Sequence, residues 1–165
     1  MTFNNKTTLV QPGKGSTYLA LGDLYTFLAT GEDTGGVYSI TEVLMQPQSL
    51  TPPHCHYQAD EAHYVLAGEI EYQLADRTII ATPGTFLNFP KNQYHGFKNI
   101  GSNPAKVLVM VTPSGVEQFF SDVGQQILEP ISEEEKRNLL CSPNPADIEK
   151  AIEVAITKYG VQFLA

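Results

Sequence analysis

The chain has 165 residues, 42% hydrophobic and 17% charged, which excludes a disordered tail and a membrane span and leaves enough length to bury a core without disulfides. Ten basic residues stand against 18 acidic ones, a formal charge of −8, and this balance argues against nucleic acid and anionic membrane surfaces, both of which call for basic patches. All four histidines fall between positions 54 and 95, and only Arg77 and Arg137 are arginines.

The first residues, MTFNNKTTLVQPGKG, lack the charged and apolar segments of a secretory signal, and no apolar run approaches the roughly 18–20 residues of a spanning helix. A cytoplasmic location is therefore expected, with Cys55 and Cys141 as reduced thiols and the triplet Asn5-Lys6-Thr7 without consequence. From there to about residue 113 the pattern is one of short strands punctuated by Gly, Pro, Asn and Asp. The predicted strands are Asp23–Ala29, Val37–Met45, a short piece ending at His54-Cys55-His56, Ala62–Ala67, Glu69–Ala75, Arg77–Ala81, Thr85–Phe89, Gln93–Asn99 and Ala105–Val111. Strands at this spacing, with no helical pattern between them, read as an antiparallel sandwich, jelly roll or barrel.

After Pro113 the period becomes helical. Ser114 to Glu117 reads as a capping box ahead of Val116, Phe119, Phe120 and Val123. Ser132 to Glu135 is a second capping box, opening a helix through Leu140. Asn144-Pro145 starts a third, with Ile148, Ile152, Ile156 and Tyr159 on one stripe and Gly160 as its C-cap. These apolar stripes are expected to dock on the strands, so 114–165 is an extension of the domain formed by 1–113. The extension holds nine acidic and four basic residues, against nine and six before it, so the charge says little about the site.

In an extended strand the spacing of His54 and His56 puts both imidazoles on one face and Cys55 on the other. Glu61 opens the next predicted strand, and His95 lies in another. Together they make a mixed nitrogen and oxygen set that suits Fe, Mn, Co, Ni, Cu or Zn without discriminating among them, and that leaves coordination positions open.

The order of these residues resembles the cupins. His54-x-His56, four residues, Glu61, six residues and Gly68 follow the first cupin motif, with Gln48 where the motif opens on glycine. Gly84, five residues, Pro90-Lys91-Asn92, two residues, His95, three residues and Asn99 follow the second, with Asn92 in place of the turn glycine. Asn is the commonest non-glycine residue at positive φ, so that replacement is cheap. Ala29–Ser39, Thr112–Phe120 and Tyr159–Leu164 are similar to small cupins of the quercetin dioxygenase type.

The resemblance implies an all-β fold, a jelly-roll β-barrel with a short helical segment packed on it. It implies one divalent transition metal ion held by His54, His56, Glu61 and His95, with Glu61 also the base that takes a proton from a substrate hydroxyl. On this analogy the chain is a metal-dependent dioxygenase that consumes dioxygen and opens the central ring of a flavonol-like or other enolisable aromatic compound with loss of carbon monoxide. The family habit also implies a homodimer, with contact expected along an edge strand.

Two residues past Glu61, His63 points into the interior, either against substrate or as a filling histidine bonded to a neighbour, and the second is favoured. Val65 and Phe97 are pocket-wall candidates for binding substrate, whereas Tyr64 and Tyr94 fall on the opposite phase. Small dianions and sugar phosphates need arginine-type recognition, yet Arg77 is the only arginine among the strands and Lys91 and Lys98 are expected to point away. A neutral or phenolic substrate fits this better. Two other readings stand beside the dioxygenase: a non-catalytic cupin that binds a small ligand or protein, and a metal-dependent isomerase or lyase on a neutral sugar or hydroxy-carbonyl compound.

Overall fold

The computed structural model describes residues 7–128 and 131–164; Asn5 and Lys6 of the glycosylation triplet lie outside them. In chain order the elements are β1 (Ser16–Ala20), β2 (Asp23–Ala29), α1 (Gly31–Thr34), β3 (Ser39–Met45), β4 (Leu50–Cys55), β5 (Asp60–Ala67), β6 (Ile70–Leu74), β7 (Thr78–Ala81) and β8 (Phe86–Phe89). They continue with β9 (His95–Asn99), β10 (Ala105–Thr112), α2 (Gln118–Val123), β11 (Gln125–Ile127), α3 (Glu133–Leu139), α4 (Pro145–Tyr159) and β12 (Gln162–Phe163). The strands form two antiparallel sheets, ordered β11-β1-β2-β3-β10-β5-β8 and β12-β4-β9-β6-β7. This is the expected jelly-roll fold, built as two sheets and not as one hydrogen-bonded cylinder.

The nine predicted strands are present. Three short ones, β1, β11 and β12, escape the alternation pattern because mixed polar residues fill them, and β11 and β12 each pair with a strand distant in sequence. The expected turn at Thr30–Gly36 contains the single helical turn α1, capped by Asp33, whose Oδ2 accepts from the Thr30 amide at 2.9 Å.

Tyr25, Val43, Val65, Ile70, Tyr72 and Val107 lie at the centre of the apolar core, all buried. Gly68, the last residue of the first motif, has φ +85, and a Cβ there would lie 2.6 Å from the Ala105 Cβ. Both motif replacements also adopt the left-handed conformation that glycine favours, Gln48 at φ 65 and Asn92 at φ 67.

The helical tail corrects two expectations. Ser114 to Glu117 is not a capping box: Glu117 is itself the N-cap of α2. Its carboxylate instead accepts from the Gly31 amide at 3.0 Å and the Gly115 amide at 2.6 Å, tying the tail to α1. The stripe on α4 is also shifted. The buried residues are Ala151 and Ala155, while Ile148, Ile152 and Ile156 stay 38%, 37% and 50% exposed. Small side chains let the helix axis come close, and the larger isoleucines flank the contact. The caps of α3 and α4 are as expected, Ser132 with Glu135, Asn144 with Pro145, and Gly160 in the left-handed region. Among the described residues no helix is long and apolar enough to cross a membrane, and Cys55 and Cys141 are unbridged.

Candidate metal centre

His54 and His95 stand directly opposite each other on β4 and β9 of the five-stranded sheet. Glu61 comes from β5 of the facing sheet, and His56 lies one residue beyond the end of β4. All four side chains are buried, at 1–7% exposure. One ligand atom from each lies within 4.8 Å of the others, close to the span of one coordination shell with ligand bonds of about 2.0–2.2 Å. The sequence spacing thus brings together all four expected ligands.

The surrounding backbone fixes how the imidazoles present themselves. His54 Nδ1 donates to the Pro52 carbonyl at 2.9 Å, and His95 Nδ1 donates to the Gln93 carbonyl at 3.2 Å. A ring that donates from Nδ1 keeps its Nε2 lone pair for a metal. The His95 ring is stacked on Phe89, centroids 4.2 Å apart. His95 Nε2 stands 3.6 Å from Glu61 Oε2, too long for a hydrogen bond, and is buried without a hydrogen-bond partner. An orphaned buried nitrogen aimed at a carboxylate and two further imidazoles fits a cation at that point.

Each Glu61 oxygen has its own neighbours. Oε2 is 2.9 Å from His56 Nε2, and Oε1 is 2.6 Å from His63 Nε2. A carboxylate only accepts, so His63 Nε2 carries the hydrogen, and His63 Nδ1 accepts from the Tyr72 hydroxyl at 2.9 Å. His63 is 1% exposed and is boxed edge-on by Phe89 and Phe97. The histidine bonded to its neighbours is what the structure contains, and one of those neighbours is the expected metal ligand. Its partner Tyr72 carried no signal in the sequence, being one aromatic residue among many in alternating strands.

Burial alone would raise the Glu61 carboxyl, but the hydrogen bonds from His56 and His63 and the proximity of His95 hold it well below its usual range. Burial pushes the His54 imidazole down to about 4, against the attraction of Glu61. For His95 burial also lowers, and the adjacent Glu61 carboxylate outweighs it, so that imidazole is raised. An anionic carboxylate and a neutral His54 are the forms in which these groups bind a metal.

The centre opens into a cavity of about 540 Å³ between the sheets. His63 and Phe97 are on its wall with His54, His56 and Glu61, whereas Val65 is fully buried in the apolar core and not on the wall. Among the described residues no lysine or arginine lines it. Arg77 and Lys91 are exposed and Lys98 is half-buried elsewhere. Tyr94 reaches the tail, its hydroxyl 3.3 Å from Gln162 Oε1, and Tyr64 faces outward at 43% exposure. Phe119, Phe120, Ile148 and Ile152 of the tail complete the wall.

Comparison with known proteins agrees with this geometry. Residues 41–111 match the family described as the cupin domain. The chain is 24% identical over 116 residues to quercetin 2,3-dioxygenase of Bacillus subtilis (strain 168), covering 70% of this chain and 34% of that protein. It is 38% identical over 77 residues to germin-like protein subfamily 2 member 2 of Arabidopsis thaliana, covering 42% of this chain and 34% of the other. The chain thus spans about a third of the length of these curated relatives. Among solved structures, KdgF from Halomonas sp. superposes with TM-score 0.60 at 17% identity, over 69% of this chain and 99% of that one. A predicted oxalate decarboxylase from Thermotoga maritima superposes with TM-score 0.59 at 15% identity, over 64% and 98%. At these identities the likeness is one of fold.

Proposed function

Residues 41–111 are a cupin domain, and from that premise we propose that the protein is a metal-dependent dioxygenase acting on an uncharged, enolisable aromatic compound of the flavonol type. One observation carries this reading: a buried set of three histidines and one glutamate adjoins a mainly apolar cavity on whose wall, among the described residues, stands no lysine or arginine. A dianion or sugar phosphate would enter that cavity with no cationic side chain to meet it, at the full cost of desolvation. A neutral or phenolic molecule enters at no such cost.

His54, His56, Glu61 and His95 would hold one divalent ion. Three neutral imidazoles and one carboxylate leave that ion with net positive charge, and it supplies Lewis-acid and redox chemistry toward an enolate and dioxygen. Glu61 receives the proton of the substrate hydroxyl on entry, with His63 holding the carboxylate in place. The imidazoles keep their orientation through the Pro52 and Gln93 carbonyls. Val107, Val109 and Val111 of β10, with Phe119 and Phe120 of the tail, present apolar side chains that limit water at the reacting end. The balance is one dioxygen consumed and one carbon monoxide released per flavonol opened.

The test is incubation of metal-replete protein with quercetin, with and without oxygen, following the flavonol absorbance. Oxygen-dependent loss, abolished in Glu61→Ala, is expected with at least one of Mn, Fe, Co, Ni or Cu. No oxygen-dependent loss with any of them removes this substrate class. Turnover of a hydroxy-carbonyl compound without oxygen would favour the isomerase or lyase reading instead.

A further inference from the structure

Glu61 stands on β5 of the seven-stranded sheet, and so does His63, whose Nε2 donates to Glu61 Oε1 at 2.6 Å. The next link comes from the other sheet. Tyr72 lies on β6, and its hydroxyl donates to His63 Nδ1 at 2.9 Å. Tyr72 is 0% exposed and His63 1%, so the two bonds join the sheets through the interior. Among the described residues neither the hydroxyl nor the His63 ring makes any other hydrogen bond. Strand register places Tyr72 opposite Phe97 of β9, two residues along from His95. The Phe89 and Phe97 rings lie 5.7 and 5.9 Å from the Tyr72 ring, and 5.3 and 5.0 Å from that of His63. These apolar neighbours offer the imidazole no substitute, so loss of the Tyr72 hydroxyl leaves a buried Nδ1 without a donor.

The bond from His63 matters most when the four ligands hold an ion. Glu61 Oε2 faces His56 Nε2 at 2.9 Å and His95 Nε2 at 3.6 Å. An imidazole nitrogen that ligates presents its lone pair and has no hydrogen to donate. His63 is outside the ligand set, so its Nε2–H remains as the donor that holds the carboxylate. A ring bonded at Nε2 alone can swing about its side-chain bonds. A ring bonded at both nitrogens, to groups on facing sheets, cannot do so without breaking one of them.

We propose that Tyr72 is a positioning residue for the metal ligand Glu61. Acting through His63, its hydroxyl fixes the ring that holds Oε1 and so keeps Oε2 turned toward His56 and His95. The proposal rests on the metal ion of the function proposed above and on no feature of the reaction or its substrate. It gives a part in ion binding to a tyrosine that is not a ligand and that stands on the sheet facing Glu61.

The experiment is calorimetric titration of metal-free protein with Ni, in the wild type, Tyr72→Phe, His63→Leu and the double variant. Tyr72→Phe keeps the ring beside Phe89 and Phe97 and removes only the hydroxyl. It is expected to bind the ion about 2- to 10-fold more weakly than the wild type, the worth of one net hydrogen bond. In the His63→Leu background the same substitution should change affinity by less than about twofold, because the group it acts through is gone. Where His63→Leu does not fold, His63→Phe, which keeps an aromatic ring in that place, supplies the second background. A tyrosine that only fills the core gives the same loss in both backgrounds, or none in either, and each of those results overturns the proposal. A wild type that binds no Ni overturns it together with the metal it rests on. Failure of the dioxygenase reading looks different: Tyr72→Phe weakens ion binding as expected, and the metal-loaded wild type consumes no flavonol when oxygen is admitted.

Discussion

Glu61 divides its work between its two oxygens. Oε1 is held by His63 at 2.6 Å, and Oε2 faces His56 and His95. Losing the His63 donor frees the carboxylate to rotate, so His63→Leu should weaken metal affinity by about 10- to 100-fold, the usual effect of removing a ligand's hydrogen-bond partner. His63→Gln keeps an N–H within reach and should recover most of it. Calorimetric titration with a single metal decides this, and equal affinities for the two variants would show that His63 only fills space. Asp23 makes a separate prediction. Burial raises its carboxyl from 3.8 to about 6, against hydrogen bonds from Ser49 and the Gln46 amide that lower it. The folded protein therefore holds this proton more tightly than the unfolded chain. Its contribution to stability is complete below about pH 4 and is lost as pH rises to about 6, an effect of about 3 kcal/mol. Asp23→Asn keeps an acceptor for Gln46 and a polar partner for Ser49. The difference in unfolding free energy between variant and wild type should grow in the variant's favour from pH 4 to pH 7, as read by urea titration. A difference independent of pH would refute it.

Strands and turns were legible to different depths. The pair His54 and His56 could be placed on one face because a strand has a period of two, and the structure keeps both rings together. The same period could not show which face of β3 is inside. In Ser39–Met45 the sequence SITEVLM puts Ser39 and Thr41 on one face and Ile40 on the other, and hydrophobicity alone favours Ile40 as the inner residue. In the structure Ser39 and Thr41 are the buried residues, 1% and 4% exposed, so the inner face of β3 was not legible before the fold. Glu117 was misread for a related reason: its carboxylate serves two backbone amides, one of them in the distant Gly31. The motif glycines test the turns. Gly68→Ala should cost at least about 1–2 kcal/mol, from its positive φ and from the contact with Ala105. Gln48→Gly, at φ 65, trades relief of about the same strain against about 0.5–1 kcal/mol of chain entropy. Its stability should change by less than about 1 kcal/mol. Thermal unfolding of the two variants side by side checks this, and an equal loss in both would contradict it.

Across the molecule, two sheets supply opposite halves of one centre, and the helical tail closes the same cavity. His54 and His95 come from the five-stranded sheet and Glu61 from the seven-stranded one, so the donor set exists only when the sheets face each other. The tail's part was half legible: its helices and the caps of α3 and α4 were readable from the sequence, but the cap of α2, the packing by Ala151 and Ala155, and the isoleucines at the cavity were not. Everything proposed for function rests on a metal at the centre of His54, His56, Glu61 and His95. Elemental analysis after equilibrium dialysis against each divalent ion tests this most directly. One bound ion per chain is predicted for the wild type, and none for His95→Ala or Glu61→Ala at the same free concentration. A wild type that binds no ion, or variants that bind as much as the wild type, would contradict it.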